Sequence, residues 1–96
     1  MKSIIANLNK AFESRIRLGI MSILSVNEAA DFNTMKQLLE VTDGNLASHL
    51  KALEGLAYIQ STKQFVGRKP NTQYHMTETG KQAFQEHLNA LEALLR

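Results

Sequence analysis

The clearest candidates for chemistry in this 96-residue chain are short polar side chains that share one face of a predicted helix. The stretch 43–59 reads DGNLASHLKALEGLAYI, and at about 100° per residue its leucines form one apolar stripe. The opposite face lacks the long side chains of an ordinary solvated helix; it carries Gly44, Ala47, Ser48 and Lys51, with Asn45 and Ala52 on its flank. Such a face lets another surface approach the backbone, and Asn45 and Ser48 are then able to hydrogen-bond to it.

Cations without neighbouring acids follow this helix along the chain. Between Gly55 and Thr77 the charged residues are Lys63, Arg68 and Lys69. The formal net charge of the whole chain is only +2, so the distribution of charge is more informative than its sum. An acid-free cluster of this kind favours an anionic partner such as the phosphates of a nucleic acid.

Catalysis and metal binding find no support in the composition. The chain has no cysteine, which excludes a disulfide framework and a thiolate metal site. Its serines stand in no nucleophile motif, no pair of carboxylates lies in an apolar pattern, and the histidines are too scattered to assemble four metal ligands. We therefore expect a protein that is not an enzyme and that needs no cofactor or metal.

The hydropathy pattern argues against a membrane partner. The longest uncharged run in the first half, residues 18–27, is too short to span a bilayer. Residues 1–12 are interrupted by Asn7, Asn9 and Lys10 where a signal peptide is continuously apolar. We therefore expect a cytoplasmic protein.

Apolar residues at helical spacing predict three helices before residue 43. The first covers 3–12, the second covers 14–26, and the third is a short helix, MKQLLE, that Thr34 caps. Residues 27–33 read as a connection, and 41–44 read as a turn. Met35, Leu38 and Leu39 form the predicted apolar side of the short helix.

The periodicity changes from 3.6 to 2 after Gly55. Alternation over 58–66 predicts a strand, GRKPN is a loop, and TQYHM predicts a second strand, so that residues 58–76 form a hairpin. Thr77 then caps a long last helix over 78–95. The sequence thus predicts one domain over 1–96 that is mainly α with a small β-hairpin.

A short helix, a tight turn, a second helix and a hairpin follow one another in this order, which is a winged helix-turn-helix. The segments FNTMKQLLEVTDGNLASHLKALEGLAYI and GRKPNTQYHMTETG resemble the winged-helix transcription regulators of the MarR and ArsR superfamilies, above all their small stand-alone domains. The resemblance covers about residues 13–90. Ala57 stands where the family commonly has a glycine, and the long flanking helices of many members are missing.

The resemblance implies binding to double-stranded DNA. The recognition helix, about 43–55, would enter the major groove, and the wing loop, about 66–72, would contact phosphates or the minor groove. Asn45 and Ser48 would bond to bases or phosphates, and Thr34 would offer a phosphate its hydroxyl and the start of the short helix. The full set of DNA-binding candidates is Thr34, Gly44, Asn45, Ser48, His49, Lys51, Arg68, Lys69 and Asn71.

The terminal segments carry more apolar residues than a small domain readily buries, which predicts a homodimer. The residues assigned to its interface are Ile4, Leu8, Phe12, Phe84, Leu88, Leu91 and Leu95. Two alternatives remain at this point. The small-residue face is also suited to a close helix–helix contact, and a winged-helix domain also serves as a protein–protein interaction module without DNA binding. The operator, the regulated genes, any effector and the sign of regulation are not determined.

Overall fold

Four α-helices and three antiparallel strands form residues 3–96, the part of the chain that the computed structural model describes. In chain order they are a 3₁₀ turn at Lys10–Phe12, α1 at Arg15–Val26, β1 at Ala30–Asp31, α2 at Phe32–Leu39, α3 at Asp43–Gly55, β2 at Ile59–Val66, β3 at Lys69–Met76 and α4 at Glu78–Leu94. The strands are ordered β1-β3-β2. This is a winged helix, mainly α with a small sheet, so the predicted fold class is confirmed.

Side-chain caps explain where the helices begin. Thr42 accepts a hydrogen bond from the Asn45 amide at 3.2 Å, and α3 covers the predicted range 43–55. Thr77 accepts from the Gly80 amide at 2.9 Å, which confirms it as the cap of the last helix. Both helices were predictable because the cap lies next to the first residue of an apolar 3.6-residue pattern.

The predicted start of the short helix is wrong. Helix α2 begins at Phe32, and its cap is Asp31, whose Oδ1 accepts a hydrogen bond from the Thr34 amide at 2.7 Å. Asp and Thr are both good cap residues. Pairing of Ala30–Asp31 with β3 holds Asp31 in the extended backbone that a cap needs, and this strand β1 was not predicted because two residues show no periodicity.

The predicted helix over 3–12 is also wrong. Residues 4–7 form turns, and only Lys10–Phe12 adopts a single 3₁₀ turn, which Asn9 caps through its side chain. A ten-residue helix is marginal by itself, and asparagines compete by bonding to the nearby backbone. Long-range contacts fix the segment instead, because the Asn9 amide donates to Nδ1 of His87 at 3.0 Å.

The hairpin is confirmed, but the predicted loop within it is too long. Strand β2 pairs with β3 from Ile59↔Met76 to Val66↔Lys69, which leaves only Gly67 and Arg68 in the turn. Gly67 has a φ of +67°, a conformation that glycine adopts without steric cost. Lys69, Pro70 and Asn71 of the predicted loop therefore lie in β3.

The core joins α1, α2, α3 and the inner ends of the strands to α4. Its fully buried side chains include Ile20, Met21, Met35, Leu46, Leu50, Leu53 and Ile59. Leu38 was expected in this core, but its relative exposure is 63%, because Met35 and Leu39 already provide the inward side of the two-turn helix α2.

Two residues assigned to the dimer interface lie inside the chain instead. Phe12 and Phe84 are only 3% and 5% exposed, and their rings meet edge to face at 5.5 Å. Phe12 also packs against His87, a buried residue of α4. These two assignments are wrong, since the side chains are consumed by the core of one protomer.

Candidate nucleic-acid interface

One face of α3 is open along its length. Leu46, Leu50 and Leu53 are buried, whereas the opposite residues Gly44, Asn45, Ala47, Ser48 and Lys51 are exposed. A Cβ atom built on Gly44 would meet nothing within 4 Å. No helix of the described residues 3–96 therefore packs on Gly44, so the alternative of a close helix–helix contact finds no partner within this part of the chain.

His49 lies at the edge of this face and is half-buried. Its Nδ1 accepts a hydrogen bond from Nε of Arg17, on α1, at 3.0 Å. A ring nitrogen that accepts a hydrogen bond carries no proton, so in this arrangement the proton of a neutral ring is on Nε2. His49 thus presents one N–H donor outward and is oriented by α1. Arg17 was not among the predicted site residues; periodicity marks it only as a polar position of α1.

An ion pair links the two helices of the helix-turn-helix. Nζ of Lys36, in α2, lies 2.8 Å from Oδ1 of Asp43, the first residue of α3. Both side chains are exposed, so the pair contributes little to stability, about 0–1 kcal/mol. Its relevance is electrostatic, because Lys36 compensates the one carboxylate in the first turn of α3.

The start of α2 already holds an anion. Asp31 has a lowered pKa, chiefly because it accepts a hydrogen bond from the Thr34 amide, with further bonds from the Thr34 hydroxyl and Asn71. Its carboxylate therefore occupies the end of the helix where the sequence predicted a phosphate. Thr34 remains exposed, but it does not offer a vacant helix N-terminus.

The cations of the wing are exposed, and Asn71 is different. Lys63, Arg68 and Lys69 are all exposed on the hairpin. Asn71 is half-buried, its Nδ2 donates to Oδ2 of Asp31 at 3.4 Å, and its Oδ1 is buried without a hydrogen-bond partner. The structure therefore brings Asn71 to the junction of β1 and β3 rather than to the tip of the wing.

The wing is anchored to α3 at its base. Oγ of Ser61 donates to Oε2 of Glu54 at 3.2 Å, and Tyr74 lies opposite Ser61 on β3. Burial, with a smaller contribution from Glu54, raises the pKa of Tyr74. The open face of α3 and the basic hairpin are thus parts of one surface, built on a polar contact at its centre.

An uncovered helix of small residues beside a basic hairpin is the nucleic-acid-binding arrangement of winged-helix proteins. A family model described as a winged helix DNA-binding domain matches residues 16–95, and the chain belongs to this family. An uncharacterised protein of Methanocaldococcus jannaschii, MJ0432, is 34% identical over 79 residues, which are 82% of this chain and 86% of that protein.

Solved structures of the same architecture include regulators. A transcriptional regulator homologue from Pyrococcus horikoshii superposes with a TM-score of 0.81 at 29% identity, over 96% of this chain and 89% of that one. A MarR-family transcriptional regulator from Silicibacter pomeroyi gives a TM-score of 0.71 at 14% identity, over 94% and 60% of the two chains, and shares the fold. Within residues 3–96, no helix is long and apolar enough to cross a membrane.

Proposed function

We propose that this protein is a sequence-specific, double-stranded-DNA-binding transcriptional regulator. The observation that carries the proposal is the open face of α3, with Gly44, Asn45 and Ser48 exposed, joined to a hairpin that has cations and no acid. The likeness to the Pyrococcus horikoshii regulator homologue supports a role in transcription. The sequence of the operator does not follow from these features.

Helix α3 enters the major groove in this proposal. Gly44 and Ala47 let the backbone approach the base edges, and Asn45 and Ser48 hydrogen-bond to them. Lys51 contacts a phosphate, and His49 donates its Nε2 proton to a phosphate or a base acceptor. Arg68 at the turn, with Lys69 beside it, contacts phosphates or the minor groove.

The proposal includes a homodimer formed by the terminal segments. Ile4, Leu88 and Leu95 are 83%, 39% and 88% exposed, and Leu8 and Leu91 are half-buried. The N-terminal segment lies beside α4, where Asn7 and Ala90 line a common groove, so these residues share one region. A two-fold axis there would present two recognition helices to half-sites about one DNA turn, or 34–36 Å, apart.

A salt titration on a selected genomic fragment tests the division of roles. Replacing Arg68 and Lys69 by Ala should flatten the log–log salt slope by up to about 2 per protomer without changing the preferred sequence. Replacing Asn45 and Ser48 by Ala should leave the slope unchanged. It should also reduce discrimination against random DNA, by about 1–3 kcal/mol for each side chain that reads a base.

A variant with Lys10 and Lys81 both changed to Ala is the matched control, since it removes the same charge from exposed residues outside the proposed interface. It should keep the wild-type slope. Loss of specificity at constant slope in the wing variant would contradict the assigned roles. Wild-type protein that binds no duplex would exclude the DNA proposal in favour of the protein-interaction module.

A further inference from the structure

The tip of the wing is apolar as well as cationic. Phe65 and Val66 are 74% and 62% exposed, and Phe65 lies opposite the exposed Pro70 on β3. Scattered exposed apolar residues are ordinary, but an aromatic, a valine and a proline at one hairpin tip form a contiguous patch. Neither the core nor the contacts proposed above use it.

The pairing of β2 with β3 assigns these side chains to opposite faces. Residues two apart on a strand share a face, so Ile59, Ser61, Lys63 and Phe65 form one row. The base of this row faces the protein, because Ile59 is 1% exposed and Ser61 bonds to Glu54 of α3. Phe65 and Lys63 therefore lie on the side of the hairpin that carries the recognition helix, whereas Val66 lies on the other side.

The row extends past the body of the protein. From Ser61 to Phe65 the strand advances four residues, or about 14 Å at 3.4 Å per residue. Residues 61–70 are all exposed, so no helix of the described chain covers the outer part of this face. A row that begins at the core and continues outward as a cation and an aromatic ring is suited to a partner that also touches α3.

Charge favours a polyanion as that partner. Residues 59–76 contain three cations and no carboxylate, and all three cations lie within five residues of Phe65 or Pro70. Cations are attracted to a narrow minor groove, and apolar side chains such as Phe and Pro insert between base steps from that groove. A protein surface complementary to this tip would need acids around an apolar pocket, whereas DNA provides phosphates around sugars and base edges.

We propose that the wing tip binds the DNA minor groove through Lys63 and Phe65, with Pro70 supporting the ring from the neighbouring strand. Lys63 contacts a phosphate at the edge of the groove. Phe65 packs against deoxyribose and base edges and opens a base step, which bends the duplex. This inference rests on the proposed function, and it adds an apolar, shape-reading contact that is separate from the major-groove contacts of α3.

Phe65→Ala and Val66→Ala form the test pair, because both remove an exposed apolar side chain at the same tip but on opposite faces. Phe65→Ala should weaken binding to the selected duplex by about ten-fold with an unchanged salt slope. It should also reduce the bend, measured by energy transfer between dyes on the two duplex ends. Val66→Ala should match the wild type in both, and Lys63→Gln should lower the slope by about 1 per protomer.

Replacing guanine by inosine in the flanks removes the minor-groove amino group and leaves the major-groove edge intact. Wild-type affinity should change with this replacement, and the Phe65→Ala variant should respond less. Equal affinity and bend for Phe65→Ala and wild type would overturn the inference while leaving the proposed function in place. A changed sedimentation coefficient in Phe65→Ala without DNA would assign the tip to protein contact and also overturn it. Wild-type protein that binds no duplex would overturn both proposals.

Discussion

Nε of Arg17 donates a hydrogen bond to Nδ1 of His49 at 3.0 Å, joining α1 to the recognition helix. The cap of α1 supports this contact, because Ser14 accepts a hydrogen bond from the Arg17 amide and so fixes its backbone. The bond sets both the orientation of the imidazole and the nitrogen that carries its proton. The surface that α3 offers to a partner is therefore set partly by a residue of another helix.

The Arg17–His49 bond predicts a measurable coupling. Arg17→Lys keeps the charge but removes the planar Nε donor, and we expect a decrease of about 0.5–1.5 kcal/mol in unfolding free energy. A double-mutant cycle with His49→Ala should give a coupling energy of similar size by urea denaturation. Additive effects of the two substitutions would contradict the bond. Nitrogen NMR should show His49 protonated on Nε2 only in the wild type, with His75 as an internal reference.

Ala57 is a site where glycine should stabilise the protein. Its φ is +62°, in the left-handed region, where a Cβ atom costs roughly 1–2 kcal/mol. Glycine removes this strain but gains entropy in the unfolded chain, so Ala57→Gly should raise the unfolding free energy by up to about 1 kcal/mol. Ala52→Gly, inside α3, is the control and should lower it by about 0.5–1 kcal/mol. The same sign for both variants would rule out backbone strain as the cause.

Gly80 should tolerate no side chain. A Cβ atom there would overlap the backbone carbonyl of Tyr58, and backbone has little freedom to move away. We expect Gly80→Ala to lower the unfolding free energy by about 1–3 kcal/mol, measured by thermal or urea denaturation. Gly44→Ala is the matched control, because nothing lies within 4 Å and alanine favours the helix by roughly 0.5–1 kcal/mol. A neutral Gly80→Ala would mean that α4 does not pack this closely on the strand.

Asp31 should make stability depend on pH. Its pKa is lowered in the folded protein by hydrogen bonds, chiefly from the Thr34 amide, so the ionised form stabilises the fold. This contribution is fully present above the unfolded-state pKa of about 3.9 and is lost as the pH falls through the folded-state pKa. Asp31→Ala should cost about 0.5–2 kcal/mol at pH 7, and the difference from wild type should shrink below pH 4. Urea denaturation at both pH values measures it, and a pH-independent difference would refute the charge contribution.

Residues exposed on the terminal segments should control self-association. Leu88→Asp combined with Leu95→Asp places two charges in the proposed interface, and sedimentation should show monomers where the wild type forms dimers. Leu38→Asp is the control, because Leu38 is also an exposed leucine, at 63%, but lies on α2. It should remain dimeric. Wild-type protein that sediments as a monomer at micromolar concentration would exclude this dimer.

Local patterns in the sequence determined the elements that position the site. The bounds of α3, the Thr77 cap and the change of period that marks the hairpin were all predicted correctly. The open face of α3 also followed from residue types, because its apolar stripe specifies which side is buried. These features depend on residues within one or two turns of each other, where helical and strand periodicities are direct signals.

Tertiary structure alone decided the features that depend on distant residues. The Asn9–His87 bond joins positions 78 apart and replaces the predicted N-terminal helix, and the Arg17–His49 bond joins positions 32 apart. Burial of Phe12 against Phe84 likewise could not be separated from a dimer contact, since an apolar stripe does not specify which surface covers it. Periodicity reports only that a face is apolar. The partner of that face is set by packing between elements, and only the folded chain contains that information.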